Sequence, residues 1–314
     1  MRVWLLFPGQ GAQVAGMGRE LYDQFPVARD VYARANSLLG FNLARLCFEG
    51  PEEELARTEI CQPAIFTTSL AAWEVVRQVS QESVIPAGMA GLSLGEYTAL
   101  TAAGSLSFED GLKLVWARGK FMEEAARLER GTMATVMGLS LPAVQEICEA
   151  ASVSLANLNA PEHLVLSGGV AAMERAVALA KARGAKRVVE LAVGGAFHSA
   201  LMQPAAAKLR TVLESAPFHS PGVLVLSNVT AKPHPQEPAQ IKELLARQLT
   251  SPVQWEECVR YLLRLGVRTF VEVGPGAVLK ALLRRIEPSA EAISVQTAKD
   301  VQTLAEKVAK YASA

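Results

Sequence analysis

Residues 85–103 have the sequence IPAGMAGLSLGEYTALTAA, in which an apolar segment at 85–92 leads into glycine-flanked Ser93 and then into a helical pattern at 97–103. An apolar segment, a tight turn and a helix in this order predict a strand–turn–helix unit. The motif Gly91-Leu92-Ser93-Leu94-Gly95 fits G-x-S-x-G, the strained turn known as a nucleophile elbow. A helix that begins at Leu94 would also offer free N–H groups to a developing oxyanion. We therefore expect Ser93 to be a nucleophile, with an ordinary glycine-bounded turn as the alternative.

Strands and helices also alternate through most of the remaining chain. Residues 3–7 form an apolar segment ended by Pro8-Gly9, which is typical of a strand buried on both faces. Helical periodicity predicts helices at 18–39, 62–79, 108–127, 241–249, 254–265 and 278–286, and further strands are predicted at 223–226 and 269–273. This order predicts an α/β fold with a parallel sheet.

Residues 131–195 have a different and more compact pattern. Strands are predicted at 132–138, 153–158, 164–167 and 187–193, and helices at 141–151 and 171–183. The order β-α-β-β-α-β is that of a ferredoxin-like unit. We expect a small domain at 127–196, inserted into a large domain formed by residues 1–126 and 197–314. The proline-rich residues 233–238 are expected to form a surface loop.

The composition argues against several classes of protein. Half of the 314 residues are apolar and 20% are charged, which is typical of a globular protein. The 31 Lys and Arg residues equal the 31 Asp and Glu residues in number, so we expect no nucleic acid and no membrane as partner. The sequence has no apolar segment of the roughly 18 residues that span a membrane, and its N-terminus is too short in apolar residues for a signal peptide. The four cysteines form no C-x-x-C pair, which favours a reducing compartment and a cytoplasmic protein.

A nucleophilic serine needs a base, and the chain has four histidines. His198 lies in the glycine-rich turn Gly194-Gly195-Ala196-Phe197-His198-Ser199 and is the best candidate, whereas His163, His219 and His234 are expected to be structural or exposed. No acid stands out to orient the imidazole. The last carbonyls of the helix at 241–249, where Gln248 lies, could accept its N–H group instead. The alternative is a solvated helix end.

Arg118 is the second informative residue. Its neighbours one helical turn away are all apolar, namely Leu114, Val115, Phe121 and Met122. A guanidinium in such a sector is expected to be buried, and a buried charge must be paired or must await an anionic ligand. The functional interpretation is a bidentate site for a substrate carboxylate. The alternatives are a tertiary acidic partner or a side chain that reaches back to solvent.

Cofactor and metal motifs are weak. Gly9-Gln10-Gly11 and Gly16 have Val14 where G-x-G-x-x-G requires glycine, which disfavours a dinucleotide site. No histidine or cysteine spacing matches a metal site. We therefore expect neither a metal nor a bound cofactor.

Several segments, taken together and in order, resemble those of the malonyl-CoA:acyl carrier protein transacylases. They are Phe7-Pro8-Gly9-Gln10-Gly11, Gly91-Leu92-Ser93-Leu94-Gly95-Glu96-Tyr97, Arg118, Phe197-His198-Ser199, Gln248-Leu249-Thr250-Ser251-Pro252-Val253-Gln254-Trp255 and Glu272-Val273-Gly274-Pro275-Gly276. The resemblance implies an α/β-hydrolase-like large domain and an inserted ferredoxin-like α+β domain. It also implies transfer of a malonyl group from malonyl-CoA to the phosphopantetheine thiol of holo-acyl carrier protein, for fatty acid biosynthesis.

The same resemblance implies roles for individual residues. Ser93 would be the nucleophile and His198 the base, with the backbone carbonyl of Gln248 orienting the imidazole. The backbone N–H groups of Gln10 and Leu94 would form the oxyanion hole.

Arg118 corresponds to the arginine that binds the free malonyl carboxylate. Phe197 matches the malonyl-type pattern, in which the residue before the base is not a small one. Leu92 departs from many relatives, which have histidine there, but the nucleophile itself is unchanged. His163 stands where relatives often have glutamine, which indicates a structural role.

The implied chemistry is a ping-pong transfer through a malonyl-serine ester, by an enzyme that we expect to be a monomer. A serine thioesterase or esterase, with water as the acceptor, is the alternative, and Arg118 and the missing triad acid argue against it. A non-catalytic interaction domain is a third hypothesis, in which Ser93 is never acylated.

Overall fold

The structure is a computed structural model that describes residues 1–81 and 83–312. In this part of the chain the strands are β1 (Arg2–Phe7), β2 (Ile85–Gly91), β3 (Gly131–Met137), β4 (Ser154–Ala160), β5 (His163–Gly169), β6 (Arg187–Glu190), β7 (Leu224–Val225), β8 (Thr269–Val273) and β9 (Glu291–Val295).

The helices alternate with these strands over most of the chain. They are α1 (Arg19–Gln24), α2 (Pro26–Leu39), α3 (Leu43–Glu49), α4 (Glu52–Leu55), α5 (Thr58–Val79), α6 (Leu94–Ala102), α7 (Phe108–Leu128), α8 (Leu141–Ala151), α9 (Val170–Ala182), α10 (Gln203–Ser215), α11 (Pro238–Gln248), α12 (Trp255–Arg264), α13 (Val278–Ile286) and α14 (Ala298–Ala312). Within the described residues, none of these helices has the length and apolar character needed to cross a membrane.

The larger sheet is parallel and has the strand order β7-β2-β1-β8-β9. Its central strand β1 is buried on both faces. Val3, Leu5 and Phe7 pack into one apolar cluster with residues of α5 and α6, and Trp4 and Leu6 pack into a second cluster with residues of α12 and α13. A strand covered on both faces is uniformly apolar, which explains why residues 3–7 show no alternation.

The smaller sheet is antiparallel, with the strand order β4-β5-β3-β6. Helices α8 and α9 cover one of its faces around a separate apolar cluster. The chain order β3-α8-β4-β5-α9-β6 confirms the predicted β-α-β-β-α-β pattern and, together with the parallel sheet, the predicted α/β fold class. The domain limits at 126/127 and 196/197 stay a prediction.

Backbone hydrogen bonds join strand β4 of the smaller sheet to the segment that precedes α12. The N–H of Leu158 in β4 donates to the carbonyl of Val253 at 2.9 Å, and the N–H of Val253 donates to the carbonyl of Ala156 at 2.8 Å. The smaller sheet is therefore held against the larger part of the molecule near the start of α12.

The structure corrects three of the predicted segments. The helix predicted at 18–39 is two helices, because Phe25 adopts an extended conformation (φ −120°, ψ 120°) before Pro26 opens α2. The helix predicted at 62–79 starts four residues earlier, at Thr58, with Pro63 inside it. The strand predicted at 187–193 ends at Glu190.

Candidate active site

The nucleophile elbow lies between β2 and α6. Ser93 has φ 53° and ψ −101°, a conformation in which side chains other than glycine are strained. Close packing explains the flanking glycines, since a Cβ on Gly95 would collide with the carbonyl oxygen of Phe7 and a Cβ on Gly91 with the backbone of Gly95. The turn thus holds the Ser93 side chain at the carboxyl end of the central strands, where parallel sheets place their ligands.

His198 lies within hydrogen-bond distance of the serine. Its Nε2 is 2.8 Å from Ser93 Oγ, and its Nδ1 is 2.9 Å from the carbonyl oxygen of Gln248. Because a carbonyl only accepts hydrogen bonds, Nδ1 carries the proton and Nε2 is free to accept the serine proton. Gln248 is the last residue of α11, so its carbonyl has no partner within the helix.

The electrostatic surroundings keep this imidazole neutral. Burial, and secondly the positive charge of Arg118, lower the pKa of His198 from 6.5 to about 4, against the opposing effect of the Gln248 carbonyl. At neutral pH the ring is therefore available as a base.

Arg118 is buried, with 1% of its surface exposed, as the apolar neighbours predicted. Its Nη1 donates to Gln62 Oε1 at 2.8 Å, and its Nη2 donates to Ser93 Oγ at 2.9 Å and to Gln248 Oε1 at 3.0 Å. The guanidinium carbon lies 5.4 Å from the centre of the Tyr97 ring. All of these partners are neutral, and among the described residues no carboxylate lies within ion-pair distance of Arg118. The cation beside the nucleophile is thus unpaired by any acid, which fits an anionic ligand.

A second set of buried residues lies beneath the elbow. Gln248 Nε2 donates to the backbone carbonyl of Ser93 at 2.9 Å and to Glu96 Oε2 at 2.6 Å. Asn228 Oδ1 accepts from the N–H of Ser93 at 2.6 Å, and His234 Nε2 lies 2.7 Å from Glu96 Oε1. These contacts couple the serine, the helix end that holds His198 and a buried carboxylate.

Gln10 and Leu94, the two residues expected to form the oxyanion hole, lie next to the nucleophile. Leu94 is the first residue of α6 and Gln10 lies three residues after the end of β1, and both line the cavity beside Ser93. Within the described residues neither N–H donates a hydrogen bond, so both are available to an oxyanion.

A cavity of about 230 Å³ connects these groups. Ser93, His198, Arg118 and Phe197 line one side, and residues of the smaller sheet and of α13 line the other, namely Met133, Thr135, Asn157, Asn159, His163, Val165, Val278 and Leu282. A larger surface cleft of about 560 Å³ beside Trp116 shares no lining residue with this cavity. The site therefore lies between the two sheets and away from the larger cleft.

The other histidines differ in their surroundings. His163 lines the cavity, although its sequence context indicated only a structural role, and burial lowers its pKa. His219 is exposed, and His234, within the proline-rich loop expected at the surface, is 4% exposed.

Sequence reasoning missed Glu96, Asn228 and Gln62. Glu96 did carry a signal, because this acidic residue directly after the elbow is the one charged side chain of helix α6. Gln62 and Asn228 carried none. Within the described residues, no group of three or more His, Cys, Asp or Glu side chains could hold a metal ion.

Comparison with known proteins identifies the family of this chain. The model of the acyl transferase domain family matches residues 4–309. A malonyl CoA-acyl carrier protein transacylase from Bacillus subtilis is 43% identical over 306 residues, which cover 96% of this chain and 95% of the relative.

Solved structures give the same result. A malonyl-transacylase in complex with its type II polyketide synthase acyl-carrier protein is 40% identical and has a TM-score of 0.94, over 98% of this chain and 100% of that chain. A malonyl CoA-acyl carrier protein transacylase from Coxiella burnetii is 36% identical and has a TM-score of 0.94, over 98% of each chain. The chain described here therefore belongs to the acyl transferase domain family and, within it, to the malonyl CoA-acyl carrier protein transacylases.

Proposed function

We propose that this chain transfers a malonyl group from malonyl-CoA to the phosphopantetheine thiol of an acyl carrier protein, through a malonyl ester of Ser93. One observation carries the proposal. Ser93 Oγ lies 2.8 Å from His198 Nε2 and 2.9 Å from Arg118 Nη2. A base and an unpaired cation at one hydroxyl suit a thioester whose acyl group carries a second carboxylate.

The first half-reaction acylates the serine. His198 Nε2 takes the proton of Ser93, and Oγ forms a bond with the thioester carbonyl carbon. The backbone N–H groups of Leu94 and Gln10 stabilise the oxyanion that develops. The carbon–sulfur bond then breaks, and the departing coenzyme A sulfur receives the proton from His198.

The second half-reaction reverses these steps with a different thiol. The phosphopantetheine thiol of the carrier gives its proton to His198 and attacks the malonyl ester. Collapse of the second oxyanion returns the proton to Ser93 Oγ and releases malonyl-carrier protein. The carbonyl of Gln248 keeps Nδ1 protonated throughout, which is the role that a carboxylate has in other serine enzymes.

Arg118 selects the acyl group in this scheme. The guanidinium of Arg118 donates hydrogen bonds to the malonyl carboxylate. Without this substrate it donates only to neutral acceptors. An acetyl group has no carboxylate and leaves the buried charge unpaired, at a cost of roughly 3–5 kcal/mol. Phe197 closes the wall of the cavity beside His198 and is assigned to the malonyl-type pocket.

The proposal also covers the second substrate, the cellular compartment, the domain limits and the oligomeric state. The solved complex of a similar malonyl-transacylase with its acyl-carrier protein supports a carrier as the second substrate, for fatty acid or polyketide synthesis. All four cysteines are free and buried, which fits the reducing cytoplasm. The large domain at 1–126 and 197–314, the inserted domain at 127–196 and the monomeric state are further parts of the proposal.

Intact-mass measurement after mixing with malonyl-CoA tests the reaction. We expect one added malonyl group per chain, located on the peptide that contains Ser93, and its loss when holo-acyl carrier protein is added. Ser93→Ala should abolish the adduct, whereas Ser220→Ala, at an exposed serine, should leave it unchanged. An unmodified wild-type chain would support the interaction-domain hypothesis instead.

The same experiment separates transfer from hydrolysis. A transacylase keeps the malonyl-serine ester until a thiol arrives, so free malonate should form slowly without carrier protein. Rapid malonate release in the absence of carrier would show that water is the acceptor and that the chain is a thioesterase or esterase.

A further inference from the structure

We infer that Glu96 is a positioning residue, which sets the malonyl selectivity of Arg118 by orienting the carboxamide of Gln248. This inference rests on the proposed function, since it concerns how the same site discriminates between acyl groups.

Both carboxylate oxygens of Glu96 are engaged, and the residue is fully buried. Oε2 accepts from Gln248 Nε2 at 2.6 Å and from the backbone N–H of Asn228 at 3.1 Å. Oε1 lies 2.7 Å from Nε2 of His234, whose side chain is also fully buried. Since the carboxylate accepts, this nitrogen of His234 carries the proton. Glu96 is therefore the common acceptor of three donors that come from distant parts of the chain.

The carboxylate decides which end of the Gln248 carboxamide faces the guanidinium. Nε2 of Gln248 points to two acceptors, Glu96 Oε2 and the carbonyl of Ser93, which leaves Oε1 facing Arg118 Nη2 at 3.0 Å. In the flipped orientation the oxygen would face two acceptors and the NH₂ group would face a guanidinium donor, which is unfavourable on both sides. Without an acceptor at position 96, this preference is weakened.

A second connection runs through Asn228 to the elbow. Glu96 accepts from the backbone N–H of Asn228, whose Oδ1 accepts from the N–H of Ser93 and whose Nδ2 donates to the carbonyl of Gly91 at 2.8 Å. The carboxamide of Asn228 thus spans the strained turn. Glu96 supports the serine from one side and the arginine from the other.

A purely structural role would have a different consequence. A buried carboxylate that only stabilised the fold would affect every acyl substrate equally when it is replaced. A residue that acts through Gln248 on Arg118 affects the carboxylate-bearing substrate more, because only that substrate uses the guanidinium charge. The ratio of kcat/KM for malonyl-CoA to kcat/KM for acetyl-CoA therefore distinguishes the two roles.

The test compares three substitutions of Glu96 in the full chain. Glu96→Met keeps the length but removes the acceptor, and Glu96→Asp keeps the charge but withdraws the oxygens by one carbon. We expect both to lower the malonyl-to-acetyl ratio, by about tenfold or more for Glu96→Met. Glu96→Gln should keep the ratio within about threefold of wild type, because its amide oxygen can still accept from Gln248 and Asn228.

Two further variants sharpen the comparison. Gln248→Met keeps the backbone carbonyl for His198 but removes the contact with Arg118, so it should lower the ratio alone and add little to Glu96→Met in the double variant. Thr98→Val is the matched control on the same helix, since the buried Thr98 hydroxyl has no hydrogen-bond partner in the described structure. Its ratio should stay at the wild-type value.

Failure of the inference about Glu96 and failure of the proposed function would give different results. An unchanged ratio in both Glu96→Met and Glu96→Asp, or a loss in Glu96→Gln as large as in Glu96→Met, overturns the inference while leaving the proposed function intact. If Glu96→Met does not fold, Glu96→Asp and Glu96→Gln still decide the question. Failure of the wild-type chain to form a malonyl-serine ester would instead overturn the proposed function.

Discussion

Arg118 is the side chain that we expect to distinguish malonyl groups from acetyl groups. It is buried, its hydrogen-bond partners are neutral, and its Nη2 lies 2.9 Å from the nucleophile. A malonyl carboxylate neutralises this charge, whereas an acetyl group leaves it unpaired. Replacement by a neutral residue therefore removes a favourable interaction for one substrate and a penalty for the other.

We predict that Arg118→Ala lowers kcat/KM for malonyl-CoA by about a hundredfold or more, since roughly 3–5 kcal/mol corresponds to roughly two to four decades. For acetyl-CoA, kcat/KM should stay the same or rise, because the penalty of the unpaired charge is removed. Steady-state assays with both substrates measure this, and Arg127→Ala, at an exposed position on the same helix, is the control. An equal loss on both substrates would contradict the assignment of Arg118 to the carboxylate.

Single residues of the site could be predicted where a local signal existed. Ser93 lay in a five-residue motif, His198 in a glycine-rich turn and Arg118 in an apolar helical sector. Asn228 carried no such signal, and Glu96 carried only its charge beside the elbow, which does not reveal what it contacts, because the partners of both lie more than 130 residues away in sequence. A contact of that kind exists only once the sheet and its helices have packed.

At the scale of elements, the strand–turn–helix unit depends on glycine where the backbone of β1 passes α6. A Cβ at position 95 would overlap the carbonyl oxygen of Phe7, and backbone atoms cannot move aside as a flexible side chain can. Glycine at position 95 therefore allows α6 to lie this close to the end of β1.

We predict that Gly95→Ala destabilises the protein by about 1–3 kcal/mol and reduces acylation of Ser93, because overpacking displaces the elbow. Gly169→Ala is the matched control, since a Cβ there meets nothing within 4 Å and the residue has an ordinary φ of −61°. Urea unfolding and the rate of malonyl-serine formation measure the two effects. Equal stabilities of the two variants would show that the close contact between position 95 and the carbonyl oxygen of Phe7 does not exclude a side chain there.

Other elements were predictable to different degrees. The strand β8 and the helices α8 and α13 match their predicted limits, because each has clear periodicity and a clear end. The break at Phe25 was missed, since the apolar periodicity continues through it and only Pro26 marks a new helix start. The predictions did not include α3, α4, α10, α14 and β9. The strand β9 is only five residues long and mostly half-buried at the edge of the sheet, so its pattern is weak.

At the scale of the whole molecule, the site is assembled from groups distant in sequence. Ser93 and His198 are in hydrogen-bond contact although they are 105 residues apart in sequence, and His198 and Gln248 are in contact although they are 50 residues apart. Sequence periodicity does not determine which residues so far apart in sequence come into contact. The sequence pattern alone therefore predicted the fold class and the candidate residues, but not the contacts between them. The ordered resemblance to one family implied roles for these residues, and in the structure Ser93, His198 and the carbonyl of Gln248 lie within hydrogen-bond distance of one another in turn. The roles themselves stay a prediction.

Burying these groups also links stability to pH. The folded-state pKa of His198 is about 4, below its ordinary value of 6.5, so between these pH values the unfolded chain binds more protons than the folded one. The contribution of His198 to stability is present above pH 6.5 and is lost as pH falls towards 4. Glu272 acts in the opposite direction, because burial raises its pKa to about 7 and its stabilisation is lost as pH rises from 4.5 to 7.

We predict that wild type loses about 3 kcal/mol more stability than His198→Gln as pH falls from 6.5 to 4, since each pKa unit corresponds to about 1.4 kcal/mol. Urea unfolding of both proteins at several pH values measures this difference, and the contribution of Glu272 cancels because both proteins contain it. His219→Gln, at an exposed histidine, should follow the wild-type curve. If the free energies of unfolding of wild type and His198→Gln fell in parallel below pH 6.5, the buried imidazole would not be held neutral. The physical argument for His198 as the base that activates Ser93 would then fail.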